Sequence, residues 1–437
     1  MKSLEKCRLT AVLCAAALLC GNFCSAPNIK SNAETEEYEG YTFTYSVTAE
    51  NTAEITGCSG DAEYLIIPET LGGLDVTAIG NGAFKAVNSF DTLSLPQSLK
   101  SIGNNAFHGC KNLGDVVIPD SVVSIGERAF MSCTSLKTVG IGCGVSSLGD
   151  YSFGACSELT TVSVDFENPC FSTSENMLLS KDGSKLIQYA GDKETADIPE
   201  KISCIGRGAF FGVTDITNVN IPSGVESIED YAFSGCISLK EIRIPDSVKA
   251  LGKGSFINCT ALKKAEIGSG ITEIPVECFA ICSNLSDLRL PDSLVTLKME
   301  AFYGCLSLTD IDVPKSVTKM ESNCLGTYYD LRTNSIINVN DVVISGTSSG
   351  AARIYAKLLG IKFVDYDNML LGDVDFSGAV DAIDASLALT EYAAISSGRE
   401  TYLRTYEKAA ADFDANGIID AIDASLILSV YVKNSTS

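Results

Sequence analysis

Residues 102–119 read Ile102-Gly-Asn-Asn-Ala-Phe107-His-Gly-Cys110-Lys-Asn-Leu113-Gly-Asp-Val116-Val-Ile118-Pro119, and this stretch decides the fold. Its apolar positions return along the chain every 23 residues. The aromatic position of the pattern is filled by Phe84, Phe107, Phe130 and Phe153, then by Phe210, Phe233, Phe256, Phe279 and Phe302, with Leu325 in the next slot. A fixed period of this length predicts a solenoid, in which one unit cannot close a core and stacked units bury a continuous one.

Each unit also predicts its own local structure. In Leu239-Lys-Glu-Ile-Arg-Ile-Pro245, alternation points Ile242 and Ile244 to one face of a short strand and Arg243 to the other. Proline ends the strand because it has no N–H to donate. The Ala-Phe-x-x-Cys segment is expected to return the chain as a short helix or 3₁₀ stretch. The fold class predicted is therefore an α/β solenoid of 23-residue repeats with short parallel strands.

The pattern resembles the BspA-like leucine-rich repeats of bacterial surface proteins, from about Tyr38 to Tyr366. The resemblance implies a right-handed, gently curved solenoid used for binding. The two ends resemble the caps of that family, at residues 34–78 and 326–366. Caps are expected because the end repeats would otherwise expose core.

The repeat is interrupted between Phe153 and Phe210, which are 57 residues apart. Lys181-Asp-Gly183 stands there between two apolar runs, and Asp-Gly in this setting is a hairpin signal. We expect a hairpin insertion near residues 165–197 that interrupts the stack without ending it.

Seven cysteines share one slot of the repeat. They are Cys110, Cys133, Cys156, Cys236, Cys259, Cys282 and Cys305, and Val87 and Val213 take the slot elsewhere. An apolar replacement indicates a small buried position in which cysteine acts as a compact hydrophobe. The alternative is a ladder of disulfides or metal ligands, but stacked side chains point in parallel and not toward one another. Reduced core thiols are therefore predicted.

The composition leaves little room for catalysis or nucleic-acid binding. The chain has 32 basic and 55 acidic residues, which opposes binding to phosphate-rich polymers. His108 is the sole histidine, and its slot holds Met131 or Gly154 in other repeats, which favours a surface role in the turn. No catalytic residue is assigned.

Outward strand positions form a candidate ligand surface in the later repeats. Charges of both signs concentrate there, at Lys240, Arg243, Lys263, Glu266, Arg289 and Asp312. Solenoids commonly bind partners on this sheet. An ordinary solvated face with cross-strand ion pairs is the equally weighted alternative.

A different repeat begins near Leu371. Two twelve-residue loops, 39 residues apart, carry oxygen side chains at positions 1, 3, 5, 9 and 12 and glycine at position 6. This is the pattern of an EF-hand calcium loop, in which hard oxygens ring the ion. The predicted ligands are Asp373, Asp375, Ser377, Ala379 (carbonyl), Asp381 and Asp384, and Asp412, Asp414, Asn416, Ile418 (carbonyl), Asp420 and Asp423. Two calcium ions are expected.

Each loop runs into an apolar helix, and the hexapeptide Asp-Ala-Ile-Asp-Ala-Ser occurs at 381–386 and again at 420–425. Paired loop–helix units closed by aspartate resemble a type I dockerin, the module that binds cohesins on scaffoldin proteins. The resemblance implies a small, all-α, EF-hand-like module over residues 370–434. By position, it implies cohesin contacts at Ala382, Ile383, Leu389 and Thr390, and at Ala421, Ile422, Leu428, Ser429 and Lys433. Dockerins often carry a hydroxyl pair where this chain has Ala-Ile, so the class of cohesin stays open.

The N-terminus resembles an export signal. Lys2, Lys6 and Arg8 precede an apolar run from Leu9 to Leu19 that is too short to span a bilayer. We expect a signal peptide over residues 1–33 and repeats over 79–366. The combined prediction is a secreted, non-catalytic binding protein that a cohesin anchors in a cellulosome-type complex. The alternatives are a polysaccharide hydrolase of the same complex and a structural cell-surface adhesin.

Overall fold

The computed structural model describes residues 33–191, 194–399, 403 and 405–436. The chain forms two compact units, Met1–Ala261 and Leu262–Ser437. The signal peptide predicted for residues 1–33 lies outside the described residues except for Ala33.

The described part of the first unit consists of short strands joined by turns. In chain order they are β1 Glu34–Tyr38, β2 Tyr41–Val47, β3 Ala53–Gly60, β4 Tyr64–Ile66, β5 Thr70–Leu71, β6 Leu74–Ile79, β7 Thr92–Ser94, β8 Ser101–Ile102, β9 Asp115–Ile118, β10 Ser124–Ile125, β11 Thr138–Ile141, β12 Ser147–Leu148, β13 Thr161–Val164, β14 Phe171–Ser174, β15 Met177–Ser180, β16 Lys185–Tyr189, β17 Thr195–Asp197, β18 Cys204–Ile205, β19 Asn218–Asn220, β20 Ser227–Ile228, β21 Glu241–Ile244 and β22 Ala250–Leu251.

The second unit continues with short strands and ends in helices. The strands are β23 Lys264–Ile267, β24 Glu273–Ile274, β25 Asp287–Arg289, β26 Thr296–Leu297, β27 Asp310–Asp312, β28 Lys319–Met320, β29 Thr327–Asp330, β30 Ser335–Asn338, β31 Val343–Gly346 and β32 Lys362–Asp365. The helices are α1 Ala351–Leu359, α2 Ala382–Ser396, α3 Thr405–Ala411 and α4 Ala421–Thr436, and a 3₁₀ turn covers Tyr366–Asn368.

Parallel ladders join equivalent positions of successive coils. In the first, β9, β11 and β13 pair in register, so that Asp115, Thr138 and Thr161 lie side by side at intervals of 23 residues. In the second, β8, β10 and β12 pair in the same way. The second ladder comes from the Ser-Ile pair that precedes each turn, so a regular coil contributes two short strands and not only the one predicted. The expected solenoid of short parallel strands is confirmed.

The phenylalanines of the repeat form a continuous stack in the core. The rings of Phe84, Phe107 and Phe130 are buried and nearly parallel, with centroids 4.9 and 5.0 Å apart. This separation matches the spacing of hydrogen-bonded strands, ~4.8 Å. Identical side chains at identical slots therefore pack on one another without any change of rotamer between coils.

The cysteine slot forms a second column beside the rings. The thiols of Cys110, Cys133, Cys156, Cys236, Cys259 and Cys305 donate to the carbonyl of the phenylalanine one coil earlier, with Sγ···O distances of 3.1–3.3 Å. All seven cysteines of the slot are buried, and their side chains are thiols that take part in no disulfide. Burial raises the pKa of the Cys236 and Cys305 thiols, so they stay protonated and act as donors.

The returning segment is a run of turns, and the prediction of a helix or 3₁₀ stretch was wrong there. Around Phe107 each N–H donates to a carbonyl three residues earlier or to the next coil, as in Ala106 to Gly103 (3.3 Å) and Phe107 to Ala129 (2.7 Å). Asn105 has φ of +56°, which a helix does not allow, so the segment around Phe107 cannot continue as a helix. The inter-coil bonds thus replace intrahelical bonds.

The interruption between Phe153 and Phe210 contains two tight antiparallel connections. β14 and β15 pair across Glu175 and Asn176, both at positive φ, and β15 pairs with β16 across residues 181–184. β16 then pairs in parallel with β18, which restarts the ladder. Tyr189 stacks on Phe210 with centroids 4.9 Å apart and so continues the aromatic column.

Each end of the repeats is covered differently. At the N-terminal end β1, β2 and β3 form an antiparallel sheet, and Tyr41, Phe43 and Tyr45 turn inward from β2. In the second unit α1 follows β31, and the phenol of Tyr355 donates to the carbonyl of Leu325 at 2.8 Å. These elements occupy the ends of the repeats, where a further coil would otherwise pack.

We expect the seven cysteines of the repeat slot to be reduced in the native protein, because each thiol lies buried in a column of parallel side chains. Thiol titration of denatured, unreduced protein should detect at least these seven. Detection of three or more disulfides among them would contradict the packing described above.

Candidate metal centre and partner-binding helices

The two C-terminal loops bend at the same place. Gly378 and Gly417 have φ values of +90° and +84°, a region that side chains rarely adopt. The bend returns each loop toward its first residue, and Gly378 N donates to Asp373 Oδ2 while Gly417 N donates to Asp412 Oδ2, at 2.9 and 2.8 Å. The glycine at position 6 therefore serves the role that the sequence pattern predicted.

Three carboxylates meet in each loop. In the first loop Asp373, Asp375 and Asp384 offer oxygen atoms that all lie within 4.8 Å of one another. In the second loop Asp412, Asp414 and Asp423 do the same. Asp384 and Asp423 are fully buried. The duplication seen in the sequence is thus a duplication of geometry.

The closing aspartate of each loop is held by the backbone. Asp384 Oδ1 accepts from the N–H groups of Val374 (2.7 Å) and Asp375 (3.1 Å), and its Oδ2 accepts from Asp381 N (2.7 Å). Asp423 makes the matching bonds with Phe413, Asp414 and Asp420. Asp384 is also the third residue of α2, where it completes a capping box with Asp381. The short aspartate at position 12 thereby ties the loop to the start of its helix.

The remaining predicted ligands have other roles in this structure. Asp381 and Asp420 each accept from the N–H group two residues later, at 2.6 Å, in the manner of a helix cap. Ser377 Oγ donates to the Ala379 carbonyl at 3.3 Å, and Asn416 Oδ1 accepts from Ile418 N. The carboxylate trios are thus the part of the predicted ligand set that the structure brings together most closely.

The electrostatics of the first loop favour a cation. Burial raises the pKa of Asp373, and the carboxylates of Asp384 and Asp375 raise it further, although the N–H groups of Gly378 and Ser377 act in the opposite direction. A divalent ion would remove this repulsion. The donors are hard oxygens on a flexible loop, which fit Ca²⁺ better than soft-ligand metals.

The two helices that follow the loops pack against each other through faces that consist mainly of alanine. Ala385 and Ala388 of α2 share a core with Ala424 and Ile427 of α4. The predicted partner contacts lie on the opposite faces. Large apolar side chains remain exposed there, at Ile383 (57%), Leu389 (51%), Ile422 (56%) and Leu428 (45%). Ala382, Thr390, Ala421, Ser429 and Lys433 are exposed as well.

The predicted ligand surface has members in both units. Lys240 and Arg243 are exposed in the first unit. In the second unit Glu266 lies opposite Arg289 across β23 and β25, and Arg289 Nε is 3.8 Å from Asp287 Oδ1. Lys263 is exposed beside this pair of strands.

Asp312 differs from the other members because it faces the C-terminal cap. Its strand, β27, pairs with β31, where Asp312 lies opposite Ser345. Burial raises the pKa of Asp312, and a hydrogen bond from the phenol of Tyr366 lowers it in part. Asp312 is therefore engaged by residues of its own chain.

His108 is half-buried, which differs from the solvent-facing position expected for it. Its Nδ1 atom is inaccessible and has no hydrogen-bond partner among the described residues. Tyr151, Phe211 and Tyr231 line the same cleft. Sequence analysis missed this group. The signal that could have found it is the presence of Tyr151 and Tyr231 at the slot before the Ala-Phe or Ser-Phe pair, which holds glycine, asparagine, arginine or glutamate in the other coils.

Family comparisons agree with both repeat patterns. The profile of the BspA type leucine rich repeat region matches residues 63–181 and 203–332 in six copies. The profile of the dockerin type I domain matches residues 371–429. The curated proteins searched contain no significant match.

Two solved structures of leucine-rich repeat proteins are similar to this chain. A leucine-rich repeat protein from Eubacterium ventriosum is 21% identical, with a TM-score of 0.51, over 66% of this chain and 92% of its own. A leucine rich cell surface protein from Faecalibacterium prausnitzii is 23% identical, with a TM-score of 0.34, over 70% of this chain and 97% of its own. The likeness to the first protein shows that the repeats adopt the leucine-rich-repeat fold.

Both domains are of non-catalytic fold types. Among the described residues, no helix has both the length and the apolarity needed to cross a membrane. The dockerin match covers both loops in which three carboxylates converge. The chain therefore belongs to the BspA-type leucine-rich repeat family and carries a C-terminal dockerin type I domain.

Proposed function

We propose that this protein is a secreted, non-catalytic binding subunit, whose repeats recognise a protein or polysaccharide and whose dockerin anchors it to a cohesin on a scaffoldin. The observation that carries the proposal is the duplicated loop–helix unit, in which matched carboxylate trios lie next to matched exposed apolar side chains. The export signal expected at residues 1–33 supports secretion.

Calcium binding is proposed from the acidity and the pre-shaping of the loops. In each loop three carboxylates converge while backbone N–H groups hold the first and last of them in place. Without a cation these charges repel one another at short range. In a module with so small a core, the free energy of ion binding contributes directly to the free energy of folding.

Cohesin binding is proposed from the exposed faces of α2 and α4. Each face presents an isoleucine and a leucine that remain about half exposed or more. Exposed apolar side chains clustered on one face mark an interaction surface. The faces follow each calcium loop directly, so loss of the ion is expected to disturb both.

Absence of catalysis is part of the same proposal. The matched families account for residues 63–181, 203–332 and 371–429, and neither is a catalytic fold. The carboxylates that do converge are held by backbone N–H groups in a cation-binding arrangement, which is unlike the acid pairs that cleave glycosidic bonds across a substrate cleft.

A strand-face ligand surface is proposed for the repeats. In the second unit Lys263 and Arg289 are exposed on or beside paired strands, and Arg243 is exposed on β21 of the first unit. The ion pairs of Asp287 with Lys264 and Arg289 are long, 3.9 and 3.8 Å, so these charges remain available to a ligand.

Calcium titration of the chelator-treated full chain should give two bound ions. Asp373→Ala and Asp412→Ala should each remove one ion, because each aspartate opens one loop, and the double variant should bind none. Asp375→Asn and Asp414→Asn, at exposed positions, should weaken binding about tenfold or more without unfolding the loops. Isothermal titration calorimetry measures both stoichiometry and affinity.

The exposed Asp75 provides a matched control, and Asp75→Ala should still bind two ions. Two ions in the Asp373→Ala, Asp412→Ala variant would contradict the assignment of the loops. Calcium should also displace magnesium, because the ring of oxygens is wide and flexible.

Lysine on the exposed helix faces should abolish cohesin capture. Ile383→Lys with Ile422→Lys places a charge in each apolar face, and immobilised type I cohesins should then lose binding by two orders of magnitude or more. Surface plasmon resonance in calcium buffer measures the loss. Ile395→Lys serves as the control, since Ile395 is 46% exposed on the same helix but outside the predicted contacts. An equal loss with Ile395→Lys would reject the assigned faces.

Removal of strand-face charges should weaken ligand capture by the repeats. Arg243→Ala with Arg289→Ala should reduce recovery of cell-wall polymers or secreted proteins that the wild-type chain retains, with little change in melting temperature because both side chains are exposed. Lys357→Ala, which removes one exposed positive charge on α1, controls for a loss of charge outside the strand face. Unchanged recovery would assign these residues to the solvated-face alternative.

A further inference from the structure

A cleft on the turn face of the first unit combines aromatic rings with positive charge. We call it the turn-face cleft and define it by Lys85, His108, Arg128, Tyr151, Phe211 and Tyr231. It is open and has a volume of about 430 Å³. Its members come from six successive coils, so at ~4.8 Å per coil the cleft extends over roughly 24 Å. It lies on the turns of the repeat and not on the strand face.

Several residues of the cleft occupy a conformation that disfavours large side chains. The position before each Ala-Phe or Ser-Phe pair has φ between +54° and +65°, and glycine fills it at residues 82, 208 and 254. Arg128, Tyr151 and Tyr231 take the same position at +56°, +58° and +54°. A side chain there costs about 1 kcal/mol or more relative to glycine. Asn105, Glu277, Glu300 and Asn323 fill the same position in other coils, so the strain is common to the repeat. The cleft is set apart because tyrosine occupies the position twice, at Tyr151 and Tyr231.

Glycine in the next coil makes room for each tyrosine ring. A Cβ atom on Gly208 would overlap the Tyr151 ring, and a Cβ atom on Gly254 would come within 2.6 Å of the Tyr231 ring. The rings thus lie flat over the backbone of the following coil. The Tyr151 ring contacts both other rings, with its centroid 5.4 Å from that of Phe211 and 6.4 Å from that of Tyr231. The three rings form a cluster of partly exposed aromatic side chains, in which the Tyr151 ring is inclined by 71° to the Phe211 ring and by 61° to the Tyr231 ring, so that their faces point in different directions.

Charged and polar side chains border the aromatic rings at one end of the cleft. The Arg128 guanidinium lies 5.7 Å from the Tyr151 ring centroid and 3.3 Å from Glu127. Lys85 is exposed and has no acidic group within 4 Å in the described part of the chain. Burial lowers the pKa of His108, and Lys85 and Arg128 lower it further, so the imidazole is neutral at pH 7 and can donate or accept a hydrogen bond.

We propose that the turn-face cleft binds an acidic polysaccharide, with sugar rings stacked on Tyr151, Phe211 and Tyr231 and sugar carboxylates held by Arg128 and Lys85. Aromatic faces present flat apolar surface to a sugar ring, while the phenol and imidazole groups supply hydrogen bonds at its rim. Positive charge selects the acidic polymer, and arginine suits the planar carboxylate. The chain as a whole carries a net charge of −23, whereas the two charged residues that line the cleft, Lys85 and Arg128, are both positive. The elongated shape and the repeated rings fit a linear polymer.

The proposal is tested with the full chain and a short galacturonate oligomer as the probe. Calorimetry should show binding that weakens with salt, and methyl esterification of the oligomer should weaken it about tenfold or more by removing its charge. Tyr151→Gly with Tyr231→Gly should abolish binding while the melting temperature holds or rises, because glycine relieves the strained φ. A purely structural role for the tyrosines would instead lower the melting temperature.

Charge variants provide the second arm. Lys85→Met with Arg128→Met should weaken galacturonate binding about tenfold and reduce its salt dependence, whereas Lys100→Met, an exposed lysine outside the cleft, should change neither. Equal binding of the esterified oligomer, equal binding of polyglutamate, or unchanged binding by the double glycine variant would each overturn the proposal. Loss of the calcium sites by Asp373→Ala with Asp412→Ala should leave galacturonate binding intact, which separates this site from the dockerin.

Discussion

Hydrogen bonding between identical positions of neighbouring coils is the interaction on which the structure depends. The parallel ladders fix the rise per coil at the strand spacing, and every other repeated contact must fit that rise. Phenylalanine rings do so by stacking at about 5 Å, and cysteine thiols do so by donating to the carbonyl of the preceding phenylalanine. This explains why the cysteine slot accepts valine in two coils: the thiol adds one weak bond to a position that is otherwise filled by packing. It also explains why function can vary on the outside, since the ladder leaves outward positions free.

The C-terminal module applies a different constraint in duplicate. Its cores are small, and its loops hold buried carboxylates close together, so the folded state carries electrostatic repulsion that a divalent cation removes. The two loops nevertheless differ at their fourth position. Phe376 of the first loop packs with Tyr366 against Val343 and Val364 of the cap, whereas the second loop has Ala415 there. The first loop thus contacts the cap in its own unit, and this asymmetry distinguishes two halves that are nearly identical in their predicted calcium ligands and predicted partner contacts.

Sequence could predict those features that repeat. The period of Phe107 and Cys110, the strand containing Ile242, and the calcium loops all follow from patterns that recur at fixed spacing. It could not predict the Ser101–Ile102 strand, because two residues carry too little alternation to be recognised. It placed one connection of the insertion at Lys181–Gly183 but missed that at Glu175 and Asn176, which depends on positive φ without glycine. It missed the turn-face cleft because Tyr151 and Tyr231 are 80 residues apart in the sequence. Their rings come into contact because the insertion between them does not separate the turns of the coils on either side of it.

The central claim is that calcium controls attachment of this chain to a cohesin. Analytical ultracentrifugation of the full chain mixed with an equimolar type I cohesin measures this directly. In calcium the two proteins should sediment as a one-to-one complex, chelator should separate them, and restored calcium should rebuild the complex. A complex that persists in chelator, or two proteins that sediment separately in calcium with every type I cohesin tried, would contradict the account.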